Sequence, residues 1–411
     1  MPSKLRGGER SIPSDRDRSS APAGGATVEQ AGEVRSARVE SLRALAALGV
    51  LIGHVYGTSQ GYDPLQILGS FGDRLLLGGG FGVYLFFALS GYLIYWPFAR
   101  RDFGKGASID LKRFATNRAV RILPLYWISV VVVLVWQADG GSFSEWWRFM
   151  LLAENYFHET VGRINGVLWS VVVEVWFYAT LPLVALAISR LARGSRRRGA
   201  IAIAALGGTS LLIWYFQVVQ YPQDQIWRHN FPTTYFFFTG GMLLAVLRTA
   251  WQDGLPSWLR GPIANRDVWL LAAIPLWLVI VWRYQYTWFA VVPSTLMVGA
   301  CVLPLREGVL VRALDWRALA LLGVASYSLY IWHVPVLNEL AGISWVPSGF
   351  AGFAVVAIPV CMAVAALSYA LIESPFLRLR RRWSSASAET DLRADDRARQ
   401  SSQPSSGEAR P

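Results

Sequence analysis

Charge is scarce in this chain: Asp, Glu, Lys and Arg make up only 16% of its 411 residues. A soluble fold of that length needs a far larger polar surface, so the composition argues against an ordinary globular protein. Cysteine is scarcer still, with two residues, Cys301 and Cys361, lying in apolar segments far apart. That placement speaks against a structural disulfide and says nothing of the compartment. No Cys/His spacing of the zinc type occurs, and no metal site is expected. The stretch up to about Val34 is rich in Ser, Gly, Arg and Asp and has no apolar core. It reads as a disordered cytoplasmic tail and not as a cleavable signal peptide.

What the chain has in abundance is apolar surface: 54% hydrophobic residues, 19 of them Trp. This is the composition of a polytopic membrane protein. The formal charge of +12 would suit nucleic acid. The basic residues, however, sit in clusters between long apolar runs, where they act as topology determinants and form no single basic face. The expected partner is the lipid bilayer, with no nucleic acid.

A helix crossing the hydrocarbon needs roughly 20 mostly apolar residues. That length predicts an all-α polytopic protein with about ten spans, near 42–59, 79–98, 120–137, 167–189, 200–219, 232–250, 268–283, 287–305, 318–337 and 350–372. Arg and Lys gather before the first span and after every even-numbered one, as in the run Arg196, Arg197, Arg198. Cytoplasmic loops collect such residues, so both termini are expected in the cytoplasm and the protein in the cell membrane. The expected organisation is a tail over 1–36, a membrane domain over 37–377 and a second tail over 378–411. In the longest outer loop, Trp146 and Trp147 suit either an interfacial helix or a plain connector.

An ionisable group in the hydrocarbon costs roughly 2.5–3.5 kcal/mol on insertion scales, which makes each one a functional candidate. His54, Glu174 and His333 are the three that fall inside spans. In "ESLRALAALGVLIGH", Arg43 and His54 are eleven positions apart. At about 100° per residue they return to nearly one helix face, roughly 16 Å apart along the axis. Arg43, Ala47, Val50 and His54 thus form a stripe, and Gly49 and Gly53 beside it allow close approach of a neighbour. Neutral imidazole suits proton abstraction from a hydroxyl, and equally suits a packing hydrogen bond. Glu174 must pair, protonate or face water; it either orients His54 or locks two helices. His333 reads more simply as a satisfied interfacial histidine. Arg118 and Arg121, three apart on one helical turn, suit phosphate, although cytoplasmic positive charge alone also explains them. Ser90 is a possible hydrogen-bond donor, with helix packing the simpler reading. Trp169, Tyr178 and Trp332 could stack on sugar rings or serve as interfacial aromatics.

Taken in order, "RVESLRALAALGVLIGH", "FGVYLFFALSGYLI", "RFATNRAVRILPLYW", "LWSVVVEVWFYATLP", "SYSLYIWHVPV" and "IESPF" resemble the acyltransferase-3 family of integral membrane O-acyltransferases. The resemblance covers roughly 40–375, with Glu40 where an aspartate is common. It implies an acyl-CoA co-substrate entering from the cytoplasm, no bound cofactor, and an essential Arg43 and His54. It also implies donor binding by Arg118 and Arg121, and roles for Trp169, Ser170, Glu174, Tyr330 and His333. The implied reaction moves a short acyl group, expected to be acetyl, to a hydroxyl of a carbohydrate, cell-envelope glycan or glycosylated secondary metabolite. His54 is the expected general base or acyl carrier, and Glu174 the group that fixes its tautomer. Some family members carry a soluble esterase-like domain after the membrane part; here only a short tail is expected. A secondary transporter or lipid flippase is the rival, since it too places ionisable groups in spans. Matching halves would favour it, but no internal repeat is visible.

Overall fold

The long helices form where the apolar runs lie, and their ends are set by local polar chemistry. A computed structural model describes residues 24–60, 70–252, 254–257 and 259–379, with side chains from residue 37 onward except at 284 and 285. The expected tails at 1–36 and 378–411 fall, over 1–23 and 380–411, outside the described residues.

Helix α1 runs over Gly24–Ser59. Next come α2 (Phe71–Leu77), a 3-10 turn (Gly78–Phe81) and α3 (Gly82–Phe103). Ser70 caps α2 by a reciprocal bond with Asp73. The Asp110 side chain accepts from the Arg113 backbone N–H and starts α4 (Leu111–Trp136). The loop beyond carries the short α5 (Phe143–Met150), capped by Ser142 and Glu145. Helix α6 (Leu168–Ala192) ends where Arg193 turns left-handed at φ 46°, and Ser195 starts α7 (Arg196–Gln220). Two short helices, α8 (Gln225–His229) and α9 (Phe231–Thr234), lead into α10 (Phe236–Ala250). Helices α11 (Arg266–Trp282), α12 (Val291–Val302), α13 (Val309–Arg312) and α14 (Arg317–Val324) follow. Helix α15 (Ser326–Ala341) and α16 (Phe350–Ser368) complete the order, α16 passing into a π turn at Tyr369–Glu373.

The chain is an all-α polytopic membrane protein, but the span count is not ten. Among the described residues six helices are long and apolar enough to cross a bilayer, or seven if a bent pair counts as one span. The six match the expected first five spans and the last. The other four segments are interrupted or short: α10 has 15 residues, α11 has 17 and α12 has 12. The fourth, α14 with α15, bends by 66° at Ala325. At about 1.5 Å per residue, α10 reaches roughly 22 Å against a hydrocarbon thickness of about 30 Å. Average hydropathy sees the apolar run and is blind to the break inside it.

Two close backbone approaches need glycine. Helix α3 lies along α10, and a Cβ on Gly91 would strike the Phe238 carbonyl while one on Gly241 would strike that of Ala88. Gly49 of α1 meets Gly79 of the 3-10 turn in the same way, which places the small-residue face beside the Arg43 stripe against a neighbour. Gly241→Ala is expected to cost about 1–3 kcal/mol by forcing the two backbones apart. The readout is the unfolding midpoint in detergent; Gly208→Ala, whose added carbon meets nothing, is the control and should leave it unchanged.

Candidate active site

Helix α1 carries the first half of the site. Ala47 and Val50 of the stripe are buried. The Arg43 Nε lies 3.3 Å from Ser326 Oγ and 3.4 Å from Glu40 Oε2. Along the same helix, His54 Nδ1 stands 2.8 Å from the Val50 carbonyl oxygen. A carbonyl only accepts, so in the neutral ring Nδ1 carries the hydrogen and Nε2 holds the lone pair. His333 meets the His54 ring edge-on, with centroids 4.8 Å apart. Its own Nδ1 points to the carbonyls of Tyr330 at 2.8 Å and Leu329 at 3.2 Å. Its Nε2 is buried without a hydrogen-bond partner. His333 is therefore buried against the His54 ring. The tautomer of His54 is set by a backbone carbonyl, the task expected of Glu174.

The second half is an ionic cluster at the Arg43 end. Glu174 accepts hydrogen bonds from Ser90 of α3 and from Tyr178, one turn along its own helix. Arg43 is in electrostatic reach of Arg121, Glu40, Glu174 and Glu373, and Arg118 of Tyr178, Arg121 and Glu174. The pair on α4 thus faces the carboxylates, and Arg118 Nε is buried without a hydrogen-bond partner. Two cavities flank the Ser90–Glu174–Tyr178 chain. One, of about 50 Å³, is lined by Arg43, Ser90, Ser170, Glu174, Ser326 and Tyr330 among others; the other, of about 160 Å³, by Arg118, Phe114 and Tyr178. Ser170 Oγ and Tyr330 OH share a hydrogen bond at 2.7 Å. Trp169 packs away from this chain, 5.9 Å from the Phe87 ring and 4.5 Å from that of His229.

Three site residues escaped the sequence reading in this capacity. Tyr178 stood out as a stacking aromatic, yet its hydroxyl is what reaches Glu174; the i,i+4 spacing was the available signal. Ser326 and Glu373 meet Arg43 across more than 280 positions of chain, and no local pattern marks such a pairing. Trp332, the other stacking candidate, donates instead to Ser368 Oγ at 2.9 Å.

The loop between α4 and α6 closes over the neighbouring helix ends with buried polar groups. Asn155 Nδ2 donates to the carbonyls of Trp169 and His229, and Asn165 Nδ2 to that of Ile331. Helix α5 with Trp146 and Trp147 belongs to this loop, and Trp146 Nε1 donates to the Gly140 carbonyl. Glu154 is 1% exposed and accepts from Tyr126 OH at 3.1 Å. Burial pushes its carboxyl from the ordinary 4.5 up to about 8, although the Tyr126 hydroxyl favours the charged form. Between those two values the folded state holds a proton that the unfolded chain has released, so stability falls as pH rises through this window. Glu154→Gln is expected to abolish that decline. Unfolding midpoints from pH 5 to 9 check it, and a slope equal to the wild type's would refute the assignment.

Fold and site together define a polytopic membrane protein with arginines, carboxylates and paired imidazoles gathered inside its helix bundle. The match is to the acyltransferase domain of the acyltransferase-3 family, over residues 36–372. The chain belongs to that family of membrane acyltransferases. It is similar to Bacillus subtilis (strain 168) YrhL, provisionally named a peptidoglycan O-acetyltransferase, at 27% identity over 328 residues, covering 72% of this chain and 50% of the relative. Nodulation protein 10 of Rhizobium leguminosarum bv. viciae is 27% identical over 368 residues, 82% of this chain and 92% of the relative. A Staphylococcus aureus (strain COL) protein, provisionally named an O-acetyltransferase, is 24% identical over 367 residues, 82% of this chain and 56% of the relative. The chain spans about half the length of the Bacillus and Staphylococcus relatives. No solved structure matches it significantly.

Proposed function

We propose that the protein transfers an acetyl group from acetyl-CoA to a hydroxyl of a carbohydrate, either a cell-envelope glycan or a glycosylated small molecule. Family membership and the names of the Bacillus and Staphylococcus relatives support O-acetyl transfer. One observation carries the mechanism: His54 Nδ1 is tied to the Val50 carbonyl, which puts the ring hydrogen on Nδ1 and makes Nε2 the basic nitrogen. In this reading Nε2 takes the acceptor's hydroxyl proton, and the oxygen attacks the thioester carbonyl carbon. The C–S bond breaks, and CoA leaves as the thiol with the proton returned to sulfur. Arg118 and Arg121 hold the donor's phosphates from the membrane side on which the basic loops gather. Arg43, roughly 16 Å from His54 along α1, steadies negative charge on the donor's arm between the phosphates and the reacting carbonyl. Glu174 holds Ser90 and Tyr178 between the two cavities, and Ser170, Tyr330 and His333 line the acceptor's approach.

The test is CoA release by purified protein with acetyl-CoA and a panel of hydroxylated glycans. Acceptor-dependent CoA release supports the reading; a protein that consumes no acyl-CoA with any acceptor and moves lipid or solute instead would overturn it. Incubation without acceptor separates two uses of the same lone pair. A labelled acyl-protein lost in His54→Ala marks a covalent carrier, and its absence marks a base.

A further inference from the structure

The motif "IESPF" ends the membrane domain with a buried carboxylate that the transfer chemistry above leaves unused. Glu373 is 4% exposed and accepts from Ser328 Oγ of α15 at 3.0 Å. The backbone is built to bring it there. Pro375 has no N–H for the Leu371 carbonyl four residues back, and its ring crowds that group. The chain answers with a π turn over Tyr369–Glu373, in which the Ser374 N–H bonds the Tyr369 carbonyl. Five residues of α-helix would rotate Glu373 by about 140° away from Ser368. The wider turn returns them toward one face, and both side chains reach Ser328, Ser368 Oγ at 3.4 Å.

From this position Glu373 is in electrostatic reach of Arg121, Arg43 and Glu40. The cluster then holds three guanidiniums, of Arg43, Arg118 and Arg121, and three carboxylates, of Glu40, Glu174 and Glu373. Like charges packed this closely in a bundle interior separate unless opposite charge lies among them. We infer that Glu373 is a positioning residue of the transfer site, held by Ser328 on the π turn so that its carboxylate sets the guanidiniums of Arg43 and Arg121 for the acyl donor. The inference rests on the donor reading proposed above. An anionic donor competes with Glu373 for these arginines, so the carboxylate trades some donor affinity for correct arginine geometry.

The trade separates two measurable quantities. Glu373→Gln keeps the shape and the bond from Ser328 but leaves three guanidiniums facing two carboxylates. Expected are turnover at saturating acetyl-CoA about tenfold slower, and CoA affinity raised or unchanged. Ser328→Ala, which frees the carboxylate without discharging it, is expected to fall between the variant and the wild type. CoA affinity is measured by titration calorimetry, turnover by thiol release, and folding by the unfolding midpoint in detergent. Unchanged turnover in Glu373→Gln overturns the inference, as does a parallel weakening of CoA binding and turnover, the mark of a structural brace. Wild-type protein that neither binds nor consumes CoA overturns the donor reading itself, an outcome visible before any variant is made.

Discussion

Replacing His54 with alanine is expected to lower acyl transfer by at least about 10²–10⁴-fold, the usual share of a positioned general base, while the protein stays inserted and folded. The expectation follows from the ring's hydrogen bonding. With Nδ1 committed to the Val50 carbonyl at 2.8 Å, Nε2 is the one ring atom able to accept a proton, and alanine removes it. His54→Gln is the sharper control, because its amide can donate a hydrogen bond without acting as a base. Arg43→Ala is expected to share the phenotype, whereas Arg118→Ala and Arg121→Ala should chiefly raise the KM for acetyl-CoA. The check is thiol release by purified variants, with membrane insertion followed by extraction and unfolding midpoint. Activity retained in His54→Ala would remove the histidine from the mechanism.

Removing Arg38 is expected to produce the largest loss of stability, about 3 kcal/mol. Its guanidinium is 4% exposed and grips Asp315 through two bonds of 2.7 and 2.8 Å while also meeting Glu307 at 2.9 Å. Glu307 passes the contact on to Arg266 Nε at 3.1 Å, and Arg266 in turn donates to the Ala300 carbonyl. Breaking a buried pair by deleting one partner costs about 3–5 kcal/mol because the other charge is stranded. Asp315 and Glu307 are 28% and 48% exposed, so water partly takes over their solvation and the low end applies. The clamp joins the start of the described α1 side chains to the segment before α14. Arg38→Ala should therefore lower the unfolding midpoint and also loosen the register of Arg43, five residues on. Arg38→Lys should recover little, since an ammonium cannot reproduce the two-bond grip. An unchanged midpoint in Arg38→Ala would show that the clamp contributes nothing.

Much of the site was legible in the chain because it is local. Eleven positions between Arg43 and His54 and three between Arg118 and Arg121 specify a helix face wherever a helix forms, and low charge with long apolar runs specifies the bilayer as solvent. The six uninterrupted spans follow from the same local counting. The number of spans did not, because α14 and α15 bend at Ala325 and α10, α11 and α12 stop short of a full span, features that average hydropathy does not register. Nor did the partners of the ionisable groups. Glu174 meets Ser90 across 84 positions, and Arg43 meets Ser326 across 283. His54 faces His333, and Glu373 reaches Ser328 only through the π turn that Pro375 favours. By itself, the sequence determined the solvent, the helical faces and the residue types available for chemistry, since these depend on periodicity and transfer energy along one segment. Only the tertiary structure decided which charges neutralise one another and which side chain meets the His54 ring. Those outcomes depend on hydrogen bonds and Coulomb contacts between helices, whose energies fall with distance in space and not with separation along the chain.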